Sequence, residues 1–192
     1  MQRTIFVKAA TIFLCSLASL GIVIGSFFLQ RSTSSKSDLQ IITDASRYRE
    51  IRQKFGSEIT QTQHFPATVS DHTQVIRFAY SDGIKQGNRF LQIRLKKSPA
   101  KIQELLNNYR KTAIRKYRGG DTNEHINFPN GVPTTFFYTS NSQIEAFPVS
   151  YEILVLNAQD KGIKNFKWNH GESSGVAIDV AASEIVYWAE KW

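Results

Sequence analysis

Residues 9–29, AATIFLCSLASLGIVIGSFFL, form an uncharged apolar run that constrains this chain more than any other segment. A helix of that length rises roughly 30 Å, which matches the thickness of the hydrocarbon core of a bilayer. Cleaved signal peptides have a shorter apolar region that ends in a small-x-small site, whereas here Phe27, Phe28 and Leu29 follow Ser26. We therefore expect residues 9–29 to be an uncleaved transmembrane signal anchor.

The segments on either side of this run are short and polar. Residues 1–8 form a basic tail, and residues 30–37 form a Ser-rich tether between the membrane and the rest of the chain. Lys and Arg occur on both sides, so the positive-inside rule does not fix the orientation. A short basic tail before a single apolar segment is typical of a signal anchor. We expect a single-pass protein whose C-terminal domain lies outside the cytoplasm, in a periplasm or at a cell surface.

The remaining residues, 38–192, predict one soluble α+β domain with a mainly antiparallel sheet and two helices. Apolar residues recur at helical spacing from Asp38 to Gly56, which predicts the first helix. Residues 74–97 contain two stretches of alternating apolar residues joined by Gly and Asn. That pattern predicts a β-hairpin.

The second helix is predicted over residues 99–118, between a Ser98-Pro99 start and a Gly119-Gly120 stop. Residues 121–133 have the composition of a loop. Strands are then expected in TTFFYT, in YEILVLN and in a terminal pair, SGVAIDV and SEIVYWAEKW. The terminal pair also fits helical spacing, but its β-branched and aromatic residues favour strands.

Charge is distributed unevenly along the domain. Residues 77–118 hold twelve Lys or Arg against two carboxylates, and residues 119–192 hold four Lys against nine carboxylates. Five cations crowd the last two turns of the predicted second helix: Arg110, Lys111, Arg115, Lys116 and Arg118. Compensation of the helix dipole accounts for one or two of them, and an ordinary solvated face could hold the rest. The functional alternative is that the cations beyond those one or two form a binding surface for anionic lipid or an acidic protein partner. Nucleic acid is not expected as a partner outside the cytoplasm.

One short stretch matches a catalytic motif. Residues 171–175, GESSG, fit the G-x-S-x-G pattern of a serine-hydrolase nucleophile elbow. Every histidine precedes Ser173, so the α/β-hydrolase order of serine, acid and histidine is impossible. A triad on another fold would use Ser173 with either His170 or His125 as the base and Asp179 to orient that base. The simpler interpretation is a loop in which the two glycines supply backbone freedom and His170 caps the loop.

Metal binding is the other chemical possibility. The candidate ligands are His64, Asp71, His72 and His125. The chain contains no H-E-x-x-H motif and no pair of cysteines, because Cys15 is its only cysteine and lies in the apolar run. We therefore expect no metal and no cofactor.

Two classes of function follow from these features. The favoured one is a membrane-anchored protein that displays a non-enzymatic binding or accessory domain. The alternative is a small hydrolase or metal-dependent enzyme that uses residues 168–175 together with nearby histidines. An enzyme needs its histidine and a partner to converge in a cleft, whereas a binding module needs only an exposed apolar or charged patch.

Overall fold

A computed structural model describes residues 41–58, 62–69, 73–83, 89–120, 137–140, 147–164 and 170–192. The predicted anchor, the tether, the loop at 121–133 and the first half of the predicted TTFFYT strand, residues 134–136, lie outside these residues. The second half is described, and the prediction of a strand is wrong there, because residues 138–139 form a turn. No helix in the described ranges is long and apolar enough to cross a membrane.

Within the described ranges, six antiparallel strands form one sheet in the order β1-β2-β6-β5-β4-β3. The strands are β1 Gln74–Ser81, β2 Arg89–Lys96, β3 Arg115–Arg118, β4 Glu152–Asp160, β5 Gly171–Asp179 and β6 Glu184–Lys191. The helices are α1 Tyr48–Glu58, which follows a 3-10 turn at Ala45–Arg47, and α2 Pro99–Thr112. The predicted α+β class with an antiparallel sheet and two helices is confirmed for the described part of the chain.

Both faces of the sheet are covered, so the central strands are buried on each side. Helices α1 and α2 pack on one face, which we call the helical face, through a core that includes Phe55, Ile93, Ile102 and Tyr187. Residues of the segments 137–140 and 147–151 cover the opposite face around the fully buried Trp188. Leu39–Trp192 forms a compact unit with these two clusters as its interior.

The two predicted hairpins are confirmed, and the ambiguity of the terminal segment is resolved in favour of strands. In β6, Ile185 and Tyr187 contact the core under the helices, whereas Val186 and Trp188 contact the opposite core. Residues that alternate between two apolar environments satisfy the period of two of a strand, and a helix would expose part of this set. Burial on both faces therefore explains why the sequence of β6 lacks a polar side.

The prediction of a second helix over residues 99–118 is correct at its start and wrong at its end. Ser98 accepts a hydrogen bond from the Lys101 amide at 3.3 Å, as an N-cap does. The helix stops at Thr112 because Ala113 adopts an extended conformation with ψ of 128° and the chain then pairs with β4. Three of the five predicted helical cations, Arg115, Lys116 and Arg118, thus belong to strand β3.

The start of the first helix is also corrected. Ile42 does not belong to a helix but pairs with Tyr80 through two backbone hydrogen bonds of 2.9 Å. Asp44 caps the 3-10 turn by accepting a hydrogen bond from the Ser46 amide at 3.0 Å. Gly56, the last residue of the predicted span, lies inside α1, which continues to Glu58.

Candidate functional site

The GESSG motif lies within strand β5, so its interpretation as a loop is wrong. Gly175 lies directly opposite Trp188 of β6, and a Cβ atom at residue 175 would overlap both the indole ring and the carbonyl oxygen of Leu154. A Cβ atom at Gly171 would lie 2.8 Å from the indole of Trp192. The two glycines of the motif are therefore places where tryptophan rings lie against the backbone of the neighbouring strand.

Ser173 lies between these glycines and is only 1% exposed. Its hydroxyl oxygen accepts a hydrogen bond of 3.4 Å from the indole Nε1 of Trp188. Asp179 lies six positions further along the same strand, which places it about 20 Å away at the rise of an extended strand. His170 is exposed at the start of the strand, where its carbonyl accepts a 2.8 Å hydrogen bond from the Lys161 amide. The structure does not bring the side chains of these three candidates together.

His64 is the one proposed metal ligand within the described residues, since Asp71, His72 and His125 lie outside them. Its Nε2 lies 3.0 Å from the carbonyl oxygen of Trp188, and because a carbonyl only accepts, Nε2 carries the proton. The ring lies 4.6 Å from that of Phe65. Among the residues that the structure describes, no group of three metal-ligating side chains occurs.

A charged cluster lies beneath the segment 147–151 on the opposite face. Both Nε and Nη2 of Arg94 donate to one oxygen of Glu184, at 2.8 and 2.7 Å, and the Tyr151 hydroxyl donates to that oxygen at 2.9 Å. Burial, followed by this hydrogen bond, raises the pKa of Tyr151. Because one carboxylate oxygen collects three donors, the cluster joins β2, β6 and the segment before β4. We interpret it as structural.

The five predicted cations converge at one end of the sheet, although they come from two elements. Arg110 and Lys111 lie in the last turn of α2, and Arg115, Lys116 and Arg118 lie in β3, which is the terminal strand of the sheet. All five are exposed. We call these five residues the basic edge.

The carboxylate of Glu152 lies against the basic edge. Arg110 donates to both oxygens of Glu152, from Nε at 2.8 Å and from Nη2 at 2.5 Å. These hydrogen bonds from Arg110 are the main reason that the pKa of Glu152 is lowered, and the positive charge of Lys116 lowers it further. Arg118 is the cross-strand neighbour of Glu152. The bidentate pair fixes the end of α2 against β4 and leaves a net positive surface around it.

A shallow depression adjoins this surface, with a volume of about 490 Å³. It is lined by Lys116, Tyr117, Arg118, Val149, Ser150, Tyr151 and Glu152. Neither Glu152 nor Val149 was a candidate site residue in the sequence. Both are more than 30 positions from β3 along the chain, and only the pairing of β3 with β4 brings them together.

Comparison of the chain with protein-family models, curated proteins and solved structures finds no match. The geometry and charge of the described residues therefore provide the basis for a functional proposal.

Proposed function

We propose that this chain is a single-pass membrane protein whose α+β domain lies outside the cytoplasm and binds an acidic partner through the basic edge, without catalysing a reaction. The uncharged run at residues 9–29 supports the anchor. The main support for the binding role is that five exposed cations from α2 and β3 lie close together.

Ordinary structural effects account for part of this charge. Arg110 and Lys111 suit the negative end of the dipole of α2, and Arg110 is also paired with Glu152. Charged side chains on a terminal strand also discourage pairing with other chains. Neither effect requires three cations in the four residues of β3 in addition to two at the end of α2.

Anionic lipid headgroups are a second candidate partner, supported by the short tether at residues 30–37. Such a tether would keep the domain near the bilayer, where each basic residue close to an anionic surface contributes about 1 kcal/mol. Both candidates predict binding that weakens as salt rises, because the Debye length falls from about 10 Å at 0.1 M to about 3 Å at 1 M.

The binding role is tested with the full chain in nanodiscs of zwitterionic lipid and fluorescent poly-glutamate as the probe. Replacing Lys111, Arg115 and Lys116 with Gln should weaken binding by up to about 3 kcal/mol, at roughly 1 kcal/mol per charge. The matched control replaces Lys54, Lys101 and Lys161 with Gln, because these exposed lysines carry the same total charge elsewhere. An equal loss in both variants, or no binding at low salt, would contradict the proposal.

The anchor and the enzymatic alternative are tested separately. Full-length protein should stay in the membrane during alkaline carbonate extraction, and its release would contradict the anchor. A fluorophosphonate probe should not label Ser173, whose hydroxyl is buried under the indole of Trp188. Stoichiometric labelling at Ser173 would instead make this protein a hydrolase.

A further inference from the structure

We propose that the partner of the basic edge is an acidic protein segment that carries apolar side chains between its carboxylates. This inference rests on the proposed function and deepens it by naming the chemistry of the partner. It depends on two features beyond the charge itself: the exposed apolar residues that flank β3, and the position of β3 in the sheet.

Two large apolar side chains are exposed beside β3. Ile114 is 58% exposed and immediately precedes the strand, and Val149 is 75% exposed and lines the depression that follows it. The five residue steps from Ile114 to Gly119 span about 17 Å of extended chain. Apolar contacts are therefore available at both ends of a stretch whose middle is cationic.

Val149 is held in place by an ordered turn. The Tyr151 amide donates to the carbonyl of Pro148 at 2.9 Å, and the Gly120 amide donates to the carbonyl of Phe147 at 2.7 Å. Gly120 has a φ of 82°, and a Cβ atom there would lie 2.7 Å from a methyl group of Val149. An apolar side chain on a hydrogen-bonded turn loses little entropy when it contacts a partner.

The alternation of side chains along β3 also suits an extended segment. Lys116 lies on the helical face, and Arg115 and Tyr117 lie on the opposite face, because neighbouring residues of a strand alternate. Arg110 is already engaged by Glu152, so we expect carboxylates of the partner near Lys116. A segment that lies along the terminal strand meets positive charge on both faces.

Strand β3 lies far from the point at which the chain enters the sheet. Ile42 pairs with β1, so the chain enters the domain at the edge of the sheet opposite β3. Six strand spacings of about 4.8 Å separate Ile42 from β3, or roughly 30 Å. The binding surface therefore lies at the edge farthest from the point at which the N-terminal segment joins.

The test compares two labelled eight-residue peptides, one that alternates glutamate with leucine and one that alternates glutamate with serine. The full chain in zwitterionic nanodiscs should bind the leucine peptide roughly 5- to 10-fold more tightly, because leucine side chains would bury area against Ile114 and Val149. Val149→Ser should remove most of this preference. Val180→Ser is the matched control, since Val180 is also an exposed apolar residue, at 42%, in the turn after β5.

Charge and apolar contacts are separated by Lys116→Gln, which should weaken binding of both peptides by the same factor. If both peptides bind equally and Val149→Ser changes neither affinity, this inference is wrong while the proposed function stands. If neither peptide binds, but anionic vesicles bind and lose affinity on Lys116→Gln, the partner is a lipid surface and the inference fails. If no anionic probe binds at low salt, the proposed function fails with it.

Discussion

The β5–β6 hairpin and strand β3 both carry polar side chains, but in very different surroundings. In the hairpin, Ser173 and Glu190 are directly opposite each other and are 1% and 2% exposed. In β3, by contrast, Arg115, Lys116 and Arg118 are exposed. The hairpin is central and covered on both faces, whereas β3 is four residues long and ends the sheet.

This difference indicates where reactive residue types serve structure and where they are available to a partner. The hydroxyl of Ser173 accepts from Trp188, and Glu184 collects donors from Arg94 and Tyr151. Buried polar groups of this kind are costly to leave unpaired, so their hydrogen bonds are part of the fold. The cations of β3, by contrast, are exposed on the surface, where a partner can reach them.

Alkaline pH should produce the largest loss of stability, because the buried regions hold tyrosines that resist ionisation. Burial raises the pKa values of Tyr48, Tyr151 and Tyr187, each 3% exposed. For a raised pKa, the stabilisation is complete below the unfolded value near 10 and is lost as pH rises above it. Each tyrosine costs about 1.4 kcal/mol per pH unit, so three cost about 4 kcal/mol at pH 11.

The measurement is urea unfolding of a chain that begins at Ser37, at pH 9, 10 and 11, with phenolate absorbance as a second readout. Above pH 10, Tyr151→Phe should reduce the loss of unfolding free energy per pH unit by the contribution of one tyrosine, about 1.4 kcal/mol. Free energies of unfolding that stay constant from pH 9 to 11 would show that these phenols ionise in the folded protein.

Replacement of Gly175 by Ala should produce the next largest effect. Its Cβ would overlap the Trp188 ring and the Leu154 carbonyl, both fixed in the centre of the sheet, so we expect a loss of about 3 kcal/mol. Gly171→Ala is the matched variant within the same motif. It should cost less, because the closest contacts of its Cβ, 2.8 Å to the Trp192 ring and 2.9 Å to the Gln159 carbonyl oxygen, are longer than those at Gly175. Equal losses in urea unfolding would mean that the Trp188 ring can move aside.

The sequence predicts most of the fold because the relevant signals are local. Alternation identifies the first hairpin, β-branched and aromatic residues favour strands in the terminal pair, and Ser98-Pro99 marks the start of α2. The end of α2 is missed because the helical spacing of Ala113 and Tyr117 continues past Thr112, and pairing with β4 then overrides it. Such pairing is a long-range contact that no local pattern contains.

The candidate site is predicted only in part, for the same reason. The five cations follow from composition, and their convergence follows from the short turn between α2 and β3. The contributions of Glu152 and Val149 depend on β4 and on the turn before it. The GESSG motif misleads because its glycines accommodate tryptophans of a neighbouring strand, and a linear pattern does not record which residue lies opposite a glycine.

Substitutions of exposed cations in the basic edge should have the smallest effects on stability. They test whether these side chains, unlike the buried polar groups of the β5–β6 hairpin, contribute little to the fold. Replacing Lys111, Arg115 or Lys116 with Gln should change the free energy of unfolding by no more than about 0.5 kcal/mol each, as is usual for exposed positions. A loss of more than about 2 kcal/mol for any of them would make the basic edge a structural element and break the comparison.

Arg110→Gln should cost slightly more at pH 7, up to about 1 kcal/mol, because it removes a bidentate pair that is partly screened by solvent. Hydrogen bonds from Arg110 lower the pKa of Glu152. For a lowered pKa, the stabilisation is present above the unfolded value, about 4.3 for Glu, and is lost as pH falls through the folded value. The difference between wild type and Arg110→Gln in urea unfolding should therefore disappear under acid conditions. If the difference in unfolding free energy persists at low pH, Arg110 stabilises the domain by packing along its aliphatic stem. The effect of Arg110→Gln would then reveal nothing about the charge of the basic edge.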